Sequence, residues 1–180
     1  MNDLRDEIKN KKANAKSTQL VTSIRKKEKN KVLKPKIQSL DTIINQVELQ
    51  HKIPKNLLLS IAKIETNVKP YAINYDGQGY YFKDIHTAVA FAQNLIKRGK
   101  TDFSVGCFQI HYRSHSKNFK SLYDMFDPEK NTKYAARLLK TLYMRKFCRW
   151  EDAVKSYHSG HEISNNIYYK KIVSRMGRSV

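Results

Sequence analysis

From Leu40 onward, apolar side chains return every three or four positions in one segment after another, and this period constrains the fold more than any other feature. Side chains so spaced line one face of an α-helix, which must be buried against other elements. Ile43, Ile44 and Val47 set the pattern over 41–51, with Ser39 or Asp41 as N-cap. Ile53-Pro54 then resets the chain, because proline is accepted in the first turn of a helix and disfavoured inside one. Residues 56–66 read as a strongly apolar helix through Leu57, Leu58, Leu59, Ile61, Ala62 and Ile64. The period returns over 84–97, where Gly99 stops it, and in a short helix over 121–126. Asp127 as N-cap and Pro128 at the first helical position open a long helix reaching Tyr143. Two more helices are expected over 150–157 and 164–175.

One stretch breaks the pattern. Tyr71-Ala72-Ile73-Asn74-Tyr75 and Tyr80-Tyr81-Phe82 flank Asp76-Gly77-Gln78-Gly79, which predicts a β-hairpin with a turn longer than two residues. It is the only strand signal found, and no internal repeat is present. The expected fold is therefore mainly α (α+β), a helical domain with one small hairpin.

The first forty residues differ in kind. They hold 12 Lys and Arg against 4 Asp and Glu, lack aromatics, and scatter their apolar residues between clusters such as Arg25-Lys26-Lys27. Such a composition buries too little surface to offset chain entropy, so residues 1–39 are expected to form a basic, mobile arm before a domain at 40–180. A length of 180 residues suits one domain with a tail. No run approaches the ~18 apolar residues of a membrane span, and the arm lacks the apolar core of a secretory signal peptide. A net charge of +19 draws a protein to polyanions, whether nucleic acid, anionic lipid or an anionic wall polymer. The arm has neither aromatic interleaving nor a DNA-reading motif, so no specific nucleic-acid partner is expected.

Chemistry concentrates at Glu65. Leu58, Ile61 or Ala62, and Glu65 stack on one face of the 56–66 helix, so a carboxyl group ends an apolar stripe. Desolvation there disfavours the charged form and produces a proton donor able to work near neutral pH. Other candidates are weaker. His111 and His115 have the i, i+4 spacing of a metal pair, but the His-Glu-x-x-His pattern is missing and Gly106 to Tyr112 reads as turn, so neither metal nor cofactor is expected. Cys107 reads as a small buried hydrophobe, and whether it pairs with Cys148 is left open. The tyrosines at 71, 75, 80 and 81 read as hairpin core or, alternatively, as a wall on which sugars stack.

Four segments in order complete the picture: Ile64-Glu65-Thr66, Gly106-Cys107-Phe108-Gln109-Ile110, Asp127-Pro128-Glu129-Lys130-Asn131 and Ser156-Tyr157-His158. Together they resemble the signatures of the lytic transglycosylase catalytic (SLT) domain, over roughly residues 40–170. Those signatures are a Glu-Ser pair closing a helix, a Gly-x-Met-Gln turn, an Asp-Pro-x-x-Asn helix start and an Ala-Tyr-Asn segment. Thr66 stands for the serine and keeps its hydroxyl, Phe108 for the methionine, and His158 for the asparagine.

The resemblance implies a lysozyme-like fold and cleavage of the β-1,4 bond between N-acetylmuramic acid and N-acetylglucosamine, leaving a 1,6-anhydro end. It implies Glu65 as the single acid and then base, with Tyr157 positioning or hydrogen-bonding it. It further implies Gln109 at the sugar N-acetyl region, and Thr66, Phe108 and His158 in support. The implied partner is the peptidoglycan glycan strand, in the periplasm or cell envelope, with service to an envelope-spanning secretion machine as one possible role. Two alternatives stand beside this: a basic nucleic-acid-binding protein on an inactive lysozyme-like scaffold, and a true lysozyme-type hydrolase using a second carboxylate such as Asp76, Asp84 or Asp102.

Overall fold

The structure, a computed structural model, describes residues 38–177 apart from 147 and 159–161. All but the last two residues of the expected arm lie outside the described residues. The described chain forms α1 (Leu40–Gln50), α2 (Leu57–Thr66), β1 (Ala72–Tyr75), β2 (Gln78–Tyr81), α3 (Ile85–Lys97), β3 (Phe103–Val105), β4 (Ile110–His111), α4 (Tyr112–His115), α5 (Leu122–Phe126), α6 (Pro128–Arg145), α7 (Trp150–His158) and α8 (Glu162–Met176). A 3-10 turn at Ser116–Asn118 joins α4 to α5.

The helix ends follow from their sequences. Ser39 accepts a hydrogen bond from the Thr42 amide, Asp84 from Thr87 and Asp127 from Lys130, so each short polar side chain satisfies an amide of the first turn. Between the two caps considered for α1, Ser39 is the one used. Gly99 has φ +71°, and the amides of Gly99 and Lys100 bond back to Ile96 and Leu95, a left-handed stop that glycine adopts without strain.

At the centre lies α2, in which Leu57, Leu58, Leu59, Ser60, Ile61 and Ala62 are all buried. A helix apolar on every side must be surrounded. Both α1 and α8 pack on α2, and α6 and α7 pack on each other and on α1 and α8 respectively. The start of α2 is capped from outside. Its own Asn56 adopts a left-handed backbone and gives no side-chain cap, while buried Glu48 of α1 accepts from the amides of Asn56 (3.0 Å), Leu58 (2.6 Å) and Leu59 (3.1 Å).

Two expectations about strands need correction. The hairpin turn is two residues long, since Tyr75 pairs with Gln78, and Asp76 (φ +53°) and Gly77 (φ +74°) alone make it. Two successive residues at positive φ match the twist of paired strands, so Gln78 and Gly79 are free to join β2. The hairpin is also not the only β-structure. Two short strands, β3 and β4, extend it into an antiparallel sheet of order β2-β1-β3-β4. With three and two residues they carry no readable alternation, and pairing, of β3 to the free edge of β1 and of β4 to β3, is what makes them strands.

Candidate active site

Residues 106–109, between β3 and β4, form a tight turn held from α6. Gly106 has φ +80°, and a Cβ there would overlap the Asn131 carboxamide. Fully buried Asn131 donates to the carbonyls of Val105 (3.3 Å) and Met125 (2.9 Å) and accepts from the Phe108 amide (3.1 Å). This is what the Asp-Pro-x-x-Asn helix start does physically: it places one amide side chain where it fastens the neighbouring turn.

The end of α2 is tied to the same turn. Buried Thr66 donates its hydroxyl to the Cys107 carbonyl at 3.0 Å. The Tyr157 hydroxyl, from α7, donates to the Phe108 carbonyl at 2.9 Å. Gln109, at φ +49°, folds its side-chain amide back onto the Gly106 carbonyl at 3.0 Å. The Phe108 ring is fully buried, so it supports the turn from the core and does not reach the surface. Cys107 is buried as expected, with its thiol pushed up to about 12 by burial, and both cysteines are free.

Glu65 is half-buried at the last turn of α2. Its Oε1 accepts a 2.6 Å hydrogen bond from the hydroxyl of Tyr168 in α8. Burial raises its carboxyl above the ordinary value, opposed by the Tyr168 bond and the nearby charge of His158. Burial, with the Glu65 charge in second place, pushes the phenols of both Tyr157 and Tyr168 well above their ordinary value, so both remain proton donors. His158 stacks on the Tyr168 ring at 4.3 Å and meets Asn165 at 2.9 Å. The partner that reaches the Glu65 carboxyl is thus Tyr168, which the sequence reading did not single out. The signal was there: Tyr168 lies four residues before Ile172 on the buried face of α8, and a buried phenol needs a hydrogen-bond partner.

A cleft of about 350 Å³ opens beside this cluster, lined by Ser104, Gln109, His111, Leu138, Tyr157 and His158. A second cavity of about 550 Å³ shares Ser104 and His111 with it and continues past Asn74, Tyr75 and Arg113. The sheet contributes to the walls of both. Of the hairpin tyrosines, Tyr71, Tyr75 and Tyr80 pack against the core, while Tyr81 is exposed with the Lys69 ammonium 4.3 Å from its ring centre. His111 and His115 take different partners. The first bonds Asp102 at 2.7 Å and Ser114 at 2.8 Å, and the second meets the Tyr134 hydroxyl at 2.9 Å. Among the described residues no group of three metal-ligating side chains gathers. Of the three carboxylates weighed as a second catalytic acid, Asp84 caps α3, whereas Asp76, in the exposed hairpin turn, and Asp102, against His111 and Arg113, both line the second cavity.

A mainly α domain with a small antiparallel sheet, presenting one half-buried carboxyl from the end of its central helix beside a groove, is a lysozyme-like domain. The family model described as the transglycosylase SLT domain matches residues 42–173, and the chain belongs to that family. Its function is accordingly of the lytic transglycosylase type, directed at peptidoglycan and hence at the cell envelope. Neither the curated proteins nor the solved structures give a match. No helix of the described residues is long and apolar enough to cross a membrane.

Proposed function

We propose that the protein cleaves the β-1,4 bond between N-acetylmuramic acid and N-acetylglucosamine in peptidoglycan, with Glu65 as its single acid and base. Protonated Glu65 gives its proton to the leaving glycosidic oxygen as the bond from that oxygen to C1 breaks. The substrate's own N-acetyl group supports the cationic centre, replacing the nucleophile that a two-carboxylate glycosidase would supply. The C6 hydroxyl oxygen then bonds to C1, and its proton returns to the Glu65 carboxylate. No water is consumed, and the product carries a 1,6-anhydro end.

The observation that supports this reading best is the environment of Glu65. Burial raises its carboxyl above the ordinary value and so favours the protonated form, and the Tyr168 hydroxyl at 2.6 Å fixes its direction. Thr66, Phe108 and Tyr157 brace the turn from below, while Gln109 and His158 line the groove. Product analysis on purified sacculi, with wild type and Glu65→Gln in parallel, tests the proposal. Wild type is expected to release muropeptides one water lighter than hydrolysis products, and the variant to release none. Reducing ends from wild type would assign a lysozyme-type hydrolase instead, and normal cleavage by Glu65→Gln would remove Glu65 from the chemistry.

A further inference from the structure

The bond cleavage proposed above gives His111 no step, yet its ring joins two other side chains. Nε2 meets Asp102 Oδ1 at 2.7 Å, and Nδ1 meets Ser114 Oγ at 2.8 Å. The His111 bond and the Arg113 charge hold the Asp102 carboxyl below its ordinary value, so it is a carboxylate at neutral pH. A carboxylate only accepts, so in the neutral ring Nε2 carries the proton and Nδ1 accepts from the Ser114 hydroxyl. The ring caps no amide of α4, which it precedes. His111 lines both cavities, exposed Ser114 lines the cleft beside Tyr157 and His158, and Asp102 lines the other. A hydroxyl held on an imidazole that a carboxylate orients is the arrangement that activates serine as a nucleophile, whatever the order of the three in the chain.

We propose that Ser114, His111 and Asp102 hydrolyse acyl esters, and that their substrate is an acetyl ester on a glycan hydroxyl. Ser114 Oγ bonds to the acyl carbon as its proton passes to His111 Nδ1. The ester bond breaks, the sugar oxygen leaves with that proton, and the acyl group stays on Ser114. Water then gives a proton to Nδ1 and adds to the acyl carbon, and acetic acid leaves as the proton returns to Oγ. Ser104 is paired directly opposite His111 across β3 and β4, so both side chains stand on one face of the sheet and a further hydroxyl is at hand for the oxygen of the intermediate. The choice of a glycan ester rests on the proposed function, whereas the ester hydrolysis itself does not. Formation of a 1,6-anhydro end requires the C6 oxygen to bond to C1, which an acyl group on that oxygen prevents, and removing the group in the same cleft would restore the substrate.

Hydrolysis of 4-nitrophenyl acetate by the full chain, and release of acetate from O-acetylated sacculi, test the proposal. Wild type should do both, and phenylmethanesulfonyl fluoride should stop both while labelling Ser114, as peptide mass mapping would show. Ser114→Ala should lose both activities, and His111→Ala, without its base, should fall about 10²–10⁴-fold. Glu65→Gln should still release acetate, so failure of the bond cleavage and failure of the ester hydrolysis are read separately. Ester hydrolysis by Ser114→Ala at the wild-type rate would overturn the proposal, and so would label confined to other residues. Loss in His111→Ala without loss in Ser114→Ala would assign the rate to the imidazole alone and equally overturn it. Hydrolysis of the small ester with no acetate from sacculi would overturn the glycan ester as substrate. Ser114 is exposed, and an unchanged circular dichroism spectrum of its alanine variant would confirm that the loss is chemical.

Discussion

Replacing Tyr168 by Phe removes one oxygen atom and tests how Glu65 is held. The ring is buried and stacks on His158 at 4.3 Å, and Phe keeps both features, so stability should change little. What is lost is the 2.6 Å bond to Oε1, short enough to be a charge-assisted hydrogen bond when Glu65 is ionised. Bonds of this kind are worth about 1.5–3 kcal/mol to the charged acceptor. In the transition state the proton is partly transferred, so roughly half of that is forfeited, and kcat should fall about three- to tenfold. The bond also favours the ionised form, so its removal leaves burial less opposed and the carboxyl protonated to higher pH. Because the first step needs the protonated acid, the alkaline limb of the pH–rate profile should move upward. Release of anhydro-muropeptides from sacculi, followed from acid to alkaline pH, reads both effects. An alkaline limb that stays in place, or moves downward, would refute the reasoning whatever happens to kcat, because the effect would not then run through the carboxyl group.

Other expectations follow from the same contacts. Burial raises the Glu65 carboxyl in the folded state, so its contribution to stability is fully present below the unfolded carboxyl range and is lost as pH rises through the raised folded value. Glu65→Gln has no charge to bury and should gain about 1 kcal/mol at neutral pH, with the gain vanishing in acid, as urea midpoints at the two conditions would show. Glu48→Ala should cost about 3 kcal/mol, because three amides at the start of α2 lose their acceptor, and Glu48→Gln should cost less by keeping one oxygen. Gly106→Ala forces a side chain to φ +80° against Asn131 and should cost about 2–4 kcal/mol in chemical denaturation, with lysis lost as the turn at 106–109 shifts.

Much of the helical frame was legible because its signals are local. The caps at Ser39, Asp84 and Asp127, the stop at Gly99 and the apolar run of α2 each depend on residues within a turn or two. The two short strands were not legible, since Phe103–Val105 becomes a strand by lying along β1, some thirty residues away in the chain, and Ile110–His111 by lying in turn along Phe103–Val105. The site divides in the same way. Glu65 announces itself by ending an apolar stripe, whereas Tyr168 meets it from a residue separation of 103, and only the packing of α8 on α2 joins them.

Glu48 and Glu65 show what the three-dimensional setting adds. Both continue an apolar helical face, Glu48 four residues after Ile44 and Glu65 three after Ala62, so periodicity treats them alike. Burial raises the carboxyl of each. Their partners separate them. Three backbone amides converge on Glu48, and donors that cannot move make its carboxylate a fixed acceptor closing the end of a helix. Glu65 receives one phenol, from a side chain that can stay bonded whether the carboxyl is protonated or not. A group that must give a proton and take it back needs a partner of the second kind, since three fixed donors would hold the charged form and oppose its return to neutrality. Glu48 is thus held by fixed donors and Glu65 by a movable one, the arrangement that the proposed role of Glu65 needs.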